Sequence, residues 1–180
     1  MSQAREKKAA PRKRAAAAGA RGAPPGKRGK AAQASAPAAK RSDAAPARGD
    51  LLARLPIEVR WRDLDTFNHV NNANYLTYIE EARVRWLQSL SGPWLDETSA
   101  PVLAAVQLNY RQPIEWPSAV VVELYVEKLG NSSLTLGHRI VAEQDASVVY
   151  CDGHSIMVWI ERQGGKPTPL PGPVRAACGG

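Results

Sequence analysis

Residues 57–90 read IEVRWRDLDTFNHVNNANYLTYIEEARVRWLQSL, and the hydrophobic period changes within them. Ile57, Val59 and Trp61 alternate with Glu58, Arg60 and Arg62, which is the period of a strand with one buried face. A polar, Asn-rich stretch follows. Then Tyr75, Leu76, Ile79, Ala82, Trp86, Leu87 and Leu90 recur at steps of three and four, the stripe of one amphipathic helix. Asn71 or Asn72 suits its N-cap, Glu81 and Arg85 make a favourable i,i+4 pair, and Gly92-Pro93 is the expected stop.

Beyond the helix the period returns to two. Ala104, Val106, Leu108 and Tyr110 form one face of a second strand that Pro113 ends. Val122, Leu124 and Val126 form a third, closed by the turn Gly130-Asn131, and Leu134, Leu136, His138, Ile140 and Ala142 form a fourth. A last run reaches from Val148 to Ile160, with Gly153 marking a bulge or a close backbone approach. Turns this short join antiparallel neighbours. The order strand, helix, four strands predicts an α+β fold, one helix against one antiparallel sheet, over residues 51–163. From Gly164 to residue 180 the chain is rich in Gly and Pro and reads as loose.

The net charge of +7 is unevenly distributed. Residues 1–50 hold 13 Lys or Arg against 3 Asp or Glu, whereas residues 51–180 hold 11 against 14. After Met1 the first 50 residues contain no Val, Ile, Leu, Phe, Trp or Tyr, and five prolines interrupt the alanine runs. Such a segment cannot offset its ordering entropy and reads as a disordered basic tail. It suits salt-dependent contact with nucleic acid or another polyanion, or it is a dispensable solvated extension; an organelle-import peptide is a lesser third reading. No run approaches the roughly 20 apolar residues of a membrane span. Two cysteines outside any paired motif, Cys151 and Cys178, fit a reduced compartment, so the expected location is cytoplasmic.

The densest polar cluster, Arg62 to Asn72, lies between the first strand and the helix. The start of a helix offers unpaired N–H groups and partial positive charge, which can stabilise a carbonyl oxygen gaining negative charge. A carboxylate nearby could attack an acyl carbon or activate water. Asp63 and Asp65 are both candidates and would share a face if the strand continued through them. Equally, Asp63 or Asp65 could cap the loop while His69, Asn71 and Asn72 satisfy turn backbone. The DxD pair lacks further ligands at readable spacing, so neither a metal nor another cofactor is expected. No GxSxG, GxGxxG or GxxxxGK[ST] motif is present.

Asp63-Leu64-Asp65, His69-Val70-Asn71-Asn72, Tyr75-Leu76 and Glu80-Glu81-Ala82-Arg83 together resemble the signature of the hotdog-fold thioesterases related to 4-hydroxybenzoyl-CoA thioesterase, including the Tol-Pal-associated branch. Leu108 to Ile114 and Leu129 to Leu134 resemble that family's second strand and following hairpin, so the likeness spans about residues 55–171. It implies a long central helix wrapped by a five-stranded antiparallel sheet and hydrolysis of acyl-CoA to free acid and CoA. Asp65 would be the nucleophile or general base and the backbone of Asn72 the oxyanion donor. His69, Asn71 and Tyr75 would support them, and Ser132 and Ser133 would lie on a CoA-binding hairpin. The resemblance also implies a homodimer or homotetramer, sheets paired edge to edge with active sites between subunits. Arg60, Arg62 and Arg111 are the cations available to CoA, and Trp86, Tyr110, Trp116 and Trp159 bear on pocket depth. Many relatives have Gly where this chain has Asn68, a residue that tolerates left-handed backbone. The rival expectation is a non-catalytic hotdog that binds an acyl ligand and docks on nucleic acid through residues 1–50.

Overall fold

A computed structural model describes residues 49–179. The disordered tail expected over 1–50, and any polyanion contact through it, fall on residues outside those described, except that Asp50 opens the first strand. The elements are β1 (Asp50–Glu58), α1 (Asn72–Gln88), β2 (Ser99–Tyr110), β3 (Ala119–Leu129), β4 (Ser133–Ala142), β5 (Val149–Glu161) and α2 (Gly172–Ala177). The strands form one antiparallel sheet in the order β1-β3-β4-β5-β2.

Alternation along β3 decides which way the sheet faces. Val120, Val122 and Leu124 are fully buried beneath α1, with Leu134, Leu136 and Ile140 of β4 and Met157 and Trp159 of β5. From α1 come Tyr75, Tyr78, Ile79, Ala82, Trp86 and Leu87. Each such side chain contributes about 1.5–3 kcal/mol on full burial, enough to hold the helix across the sheet. The helix stripe is rotated from its sequence reading: Tyr78 and Arg83 are buried, while Leu76 stays 37% exposed. Helix α1 also stops before Gly92-Pro93, because the Ser89 N–H bonds back to the Arg85 and Trp86 carbonyls and Leu90 tightens onto Leu87.

The first strand sits earlier than its alternation suggests. Ile57 and Val59 are buried, but the chain leaves β1 at Glu58, makes a 3-10 turn over Trp61–Asp63 and leaves Trp61 74% exposed. Both β1 and β2 are sheet edges, and Pro56, which cannot donate to a ladder, is tolerated on β1 for that reason. On β2 the helix-facing side chains are only half covered, as expected of an edge with nothing beyond it.

Gly153 is a close approach and not a bulge: a Cβ there would lie 1.9 Å from the Gln107 carbonyl oxygen on β2. The register break between β4 and β5 falls instead beyond Ile140. The C-terminal segment is not loose. Pro167 bridges to Ile160, Leu170 is 5% exposed, and α2 buries Val174 completely. Two well-spaced apolar anchors in Gly- and Pro-rich text suffice to seat it, and Gly92 leaves the space that Pro173 occupies. Among the described residues no helix is long and apolar enough to cross a membrane.

Candidate active site

Hydrogen bonding in the turn from sheet to helix separates the two aspartates. Asp63 is 3% exposed, and its Oδ2 accepts from the Arg60 N–H and Nε, each at 3.1 Å, and from the Tyr78 hydroxyl at 2.8 Å. Its carbonyl accepts from the Asn71 N–H and the Asn74 amide, both at 2.8 Å. Burial pushes its carboxyl upward, but the bonds from Arg60 and Tyr78 outweigh that and hold it below the usual carboxylate range. Asp63 thus ties the end of β1 to α1.

Asp65 turns the other way. The extended backbone does not persist through it, so the two carboxylates do not share a face; Leu64 instead bridges to Val70, and the intervening residues loop out. The exposed Asp65 carboxylate accepts from the Phe67 N–H at 2.8 Å and the His69 N–H at 3.1 Å, both on Oδ1. No described residue donates to Oδ2. The loop closes because Asn68 adopts φ 61°, the left-handed conformation expected where relatives carry Gly, and its amide donates to the Trp116 carbonyl at 3.3 Å. Replacing Asn68 by Val should therefore destabilise the fold by about 1–2 kcal/mol in denaturant titrations, whereas Asn68→Gly should cost little.

Helix α1 begins beside this loop. Asn71 is the N-cap, its side chain accepting from the Ala73 N–H at 3.0 Å, and the Asn74 N–H reaches the Asn71 carbonyl. The Asn72 N–H has no acceptor among the described residues, as the first amide of a helix is free to lack one. Tyr75, 2% exposed, accepts from the Ile114 N–H at 3.3 Å and meets the Tyr110 ring edge-on at 5.1 Å. Burial pushes the Tyr75 hydroxyl up to about 12, so it stays protonated.

Asp65, His69, Asn72 and Tyr75 line one cleft of about 280 Å³ with Val70, Tyr110, Arg111, Gln112 and Pro113. Asn71 caps the helix from beside it. Of the three arginines named from sequence only Arg111 lines the cleft, held by Asp152 at 2.7 and 3.0 Å; Arg60 is engaged by Asp63. Tyr110 alone of the four aromatics lines it, since Trp86 and Trp159 are buried in the core. The role of Asp152 was not legible in sequence, because it depends on a β2–β5 register that periodicity does not specify.

Ser132 and Ser133 are not brought to this cleft within one chain. They sit where β4 pairs with Val158, seven residues along β5 from the Cys151 that pairs with Tyr110. That separation is about 23 Å. Their hairpin is clamped from the C-terminal segment, where Arg175 donates to the Gly130 and Asn131 carbonyls at 2.9 and 3.1 Å. Among the described residues no group of three or more His, Cys, Asp or Glu is arranged to hold a metal ion.

The sheet order and the single long helix crossing it define a hotdog-fold protein of the thioesterase type. The chain belongs to the thioesterase-like superfamily, whose sequence profile matches residues 59–178. It is 33% identical over 121 residues to the long-chain acyl-CoA thioesterase FadM of Escherichia coli, covering 66% of this chain and 91% of that one. A Xanthomonas campestris structure described as a candidate acyl-CoA thioesterase matches at 52% identity and TM-score 0.60, over 65% of this chain and 99% of its own. A thioesterase of Thermus thermophilus, solved with coenzyme A and Zn, matches at 38% identity and TM-score 0.59, over 69% of this chain and 95% of its own.

Proposed function

We propose that this chain hydrolyses acyl-CoA thioesters to the free acid and CoA, with Asp65 as the reacting carboxylate and the Asn72 N–H as oxyanion donor. The observation that supports the reading most is the cleft shared by an exposed carboxylate with one uncommitted oxygen and the unpaired first N–H of α1. The two backbone bonds to Asp65 Oδ1 fix the carboxylate and leave Oδ2 for the reacting centre. In the general-base route, Asp65 takes a proton from water as the water oxygen bonds to the acyl carbon. Charge gathers on the former carbonyl oxygen, where the Asn72 N–H and the helix dipole favour it. Collapse breaks the C–S bond, and the CoA thiolate leaves and is protonated. In the nucleophilic route Oδ2 itself forms the new C–O bond, CoA leaves, and water opens the resulting anhydride. Either route asks the same of His69, Asn71 and Tyr75: to hold the loop and the helix start in place.

Two copies pairing antiparallel through β2 complete the site in this reading. The exposed edge strand carries Val102, Leu103, Val106 and Tyr110, all 37–48% exposed, and an open edge of this kind is normally covered. Antiparallel pairing sets the Ser99 end of one β2 beside the Tyr110 end of the other. It thereby brings a second copy's Ser132–Ser133 hairpin toward the cleft.

The test is thiol release from a panel of acyl-CoAs; absence of turnover on every member would end the reading. Arg111 is assigned to the anionic part of CoA. Arg111→Ala should raise KM about tenfold, the size of one charge-assisted contact, with kcat little changed in steady-state assays.

A further inference from the structure

The face of the sheet turned away from α1 carries a row of polar side chains that crosses all five strands. Arg54 of β1 stands opposite Glu123 of β3, Glu123 opposite Arg139 of β4, Arg139 opposite Asp152 of β5, and Asp152 opposite Asn109 of β2. Cys151, one residue before Asp152, is buried in the core under α1, and successive strand residues alternate faces, so the row lies on the outer side. Charges of opposite sign set directly across antiparallel strands support one another. Glu123, 3% exposed, meets Arg54 at 3.3 Å and Arg139 at 3.4 Å and accepts from the Tyr125 hydroxyl at 2.6 Å.

At its β2 end the row reaches the cleft. Arg111 lies just past Tyr110, the last residue of β2, and lines the cleft with Asp65 and Asn72. Its Nε donates to Asp152 Oδ2 at 2.7 Å and its Nη2 to Oδ1 at 3.0 Å, a grip at two points. The Asn109 amide also donates to Oδ1, at 2.8 Å. The Asp152 side chain is 13% exposed against 36% for Arg111, so the carboxylate is the anchored member of the pair. Burial pushes the Asp152 carboxyl upward, but the bonds from Arg111 and Asn109 outweigh that and hold it below the usual carboxylate range. Arg111 Nη1 donates to no described residue. With Arg111 the row holds three guanidiniums against the carboxylates of Glu123 and Asp152, so one positive charge is left over within it. A side chain fixed in this way gives up its rotamer freedom before a ligand arrives, which is how preorganisation strengthens binding.

We propose that Asp152 is a positioning residue, which sets the Arg111 guanidinium at the cleft so that its free Nη1 meets a phosphate of CoA. This rests on the thioesterase reading and names the residue through which Arg111 is made effective. The test is steady-state kinetics of the full chain on an acyl-CoA and on the acyl-pantetheine with the same acyl group, which keeps the thioester and lacks the phosphates. Asp152→Asn should raise KM for acyl-CoA about fivefold with kcat little changed, and should move KM for acyl-pantetheine by less than about twofold. Arg111→Lys keeps the charge but cannot make the two-point grip, and it should show the same split between substrates. Asp152→Asn combined with Arg111→Ala should be no weaker than Arg111→Ala alone, because Asp152 acts through Arg111.

A lower KM for acyl-CoA in Asp152→Asn would mean that Asp152 competes with the ligand for Arg111, and overturns the proposal. Equal changes on both substrates overturn it too, since they would leave Asp152 a structural part only. Wild-type KM in Arg111→Lys has the same force, for charge without geometry would then suffice. That variant changes an exposed side chain and stands even if Asp152→Asn fails to fold. Thiol release from acyl-CoA by the wild type preserves the thioesterase reading whichever way these comparisons fall.

Discussion

Asp65→Asn should leave a folded protein whose hydrolysis of acyl-CoA is lower by about a thousandfold or more, the usual scale for removing a reacting base or nucleophile. The substitution is nearly isosteric. The carbonyl oxygen of the introduced amide can still accept from the Phe67 and His69 N–H groups that hold the present carboxylate, so the loop keeps its shape. The residue is exposed, and thermal unfolding should move by no more than about 0.5 kcal/mol equivalent. What is lost is the negative oxygen facing the cleft. Thiol release with a matched melting curve is the measurement, and undiminished turnover would remove Asp65 from the mechanism.

Two residues earlier the same substitution should do the opposite. Asp63→Asn should destabilise the fold by about 3 kcal/mol, since it replaces a buried carboxylate that holds Arg60 and Tyr78 and leaves their donors poorly matched. The pH dependence has a definite sign. A carboxyl whose folded pKa lies below its unfolded value contributes stability that is fully present above the unfolded value and lost as pH falls through the folded one. The wild type should therefore lose this contribution below about pH 4, where an unfolded aspartate begins to protonate, and Asp63→Asn should show no such loss from this site. Denaturant titrations of both proteins from neutral to acid pH will show whether the curves converge. A parallel offset at all pH values would mean that Asp63 acts by packing alone.

The neighbouring aspartates illustrate how far the sequence could be read. Periodicity was enough to find α1 and four of the strands, and the polar run before α1 was enough to single out a loop that lines a cleft. It could not tell Asp63 from Asp65, because their difference lies in Tyr78, a residue fifteen positions on whose side chain returns to the end of β1. The 3-10 turn over Trp61–Asp63 was hidden for a related reason: Trp61 continues an apolar alternation that the backbone itself abandons. Asn68 was legible down to its backbone conformation, since the requirement there is local. Arg83 and the C-terminal helix were not. A charged residue on the buried flank of a helix, and two anchors in Gly- and Pro-rich text, depend on partners distant in sequence.

Unequal margins of the sheet limit what self-association can build. Pro56 and an irregularity between Leu51 and Ala53 interrupt β1, and β2 has Pro101 and a break of its own between Leu103 and Ala105, but with twelve residues against nine β2 offers the longer ladder. Were pairing confined to β2, two joined copies would turn only their β1 margins outward, and lateral growth of the sheet would end at the pair.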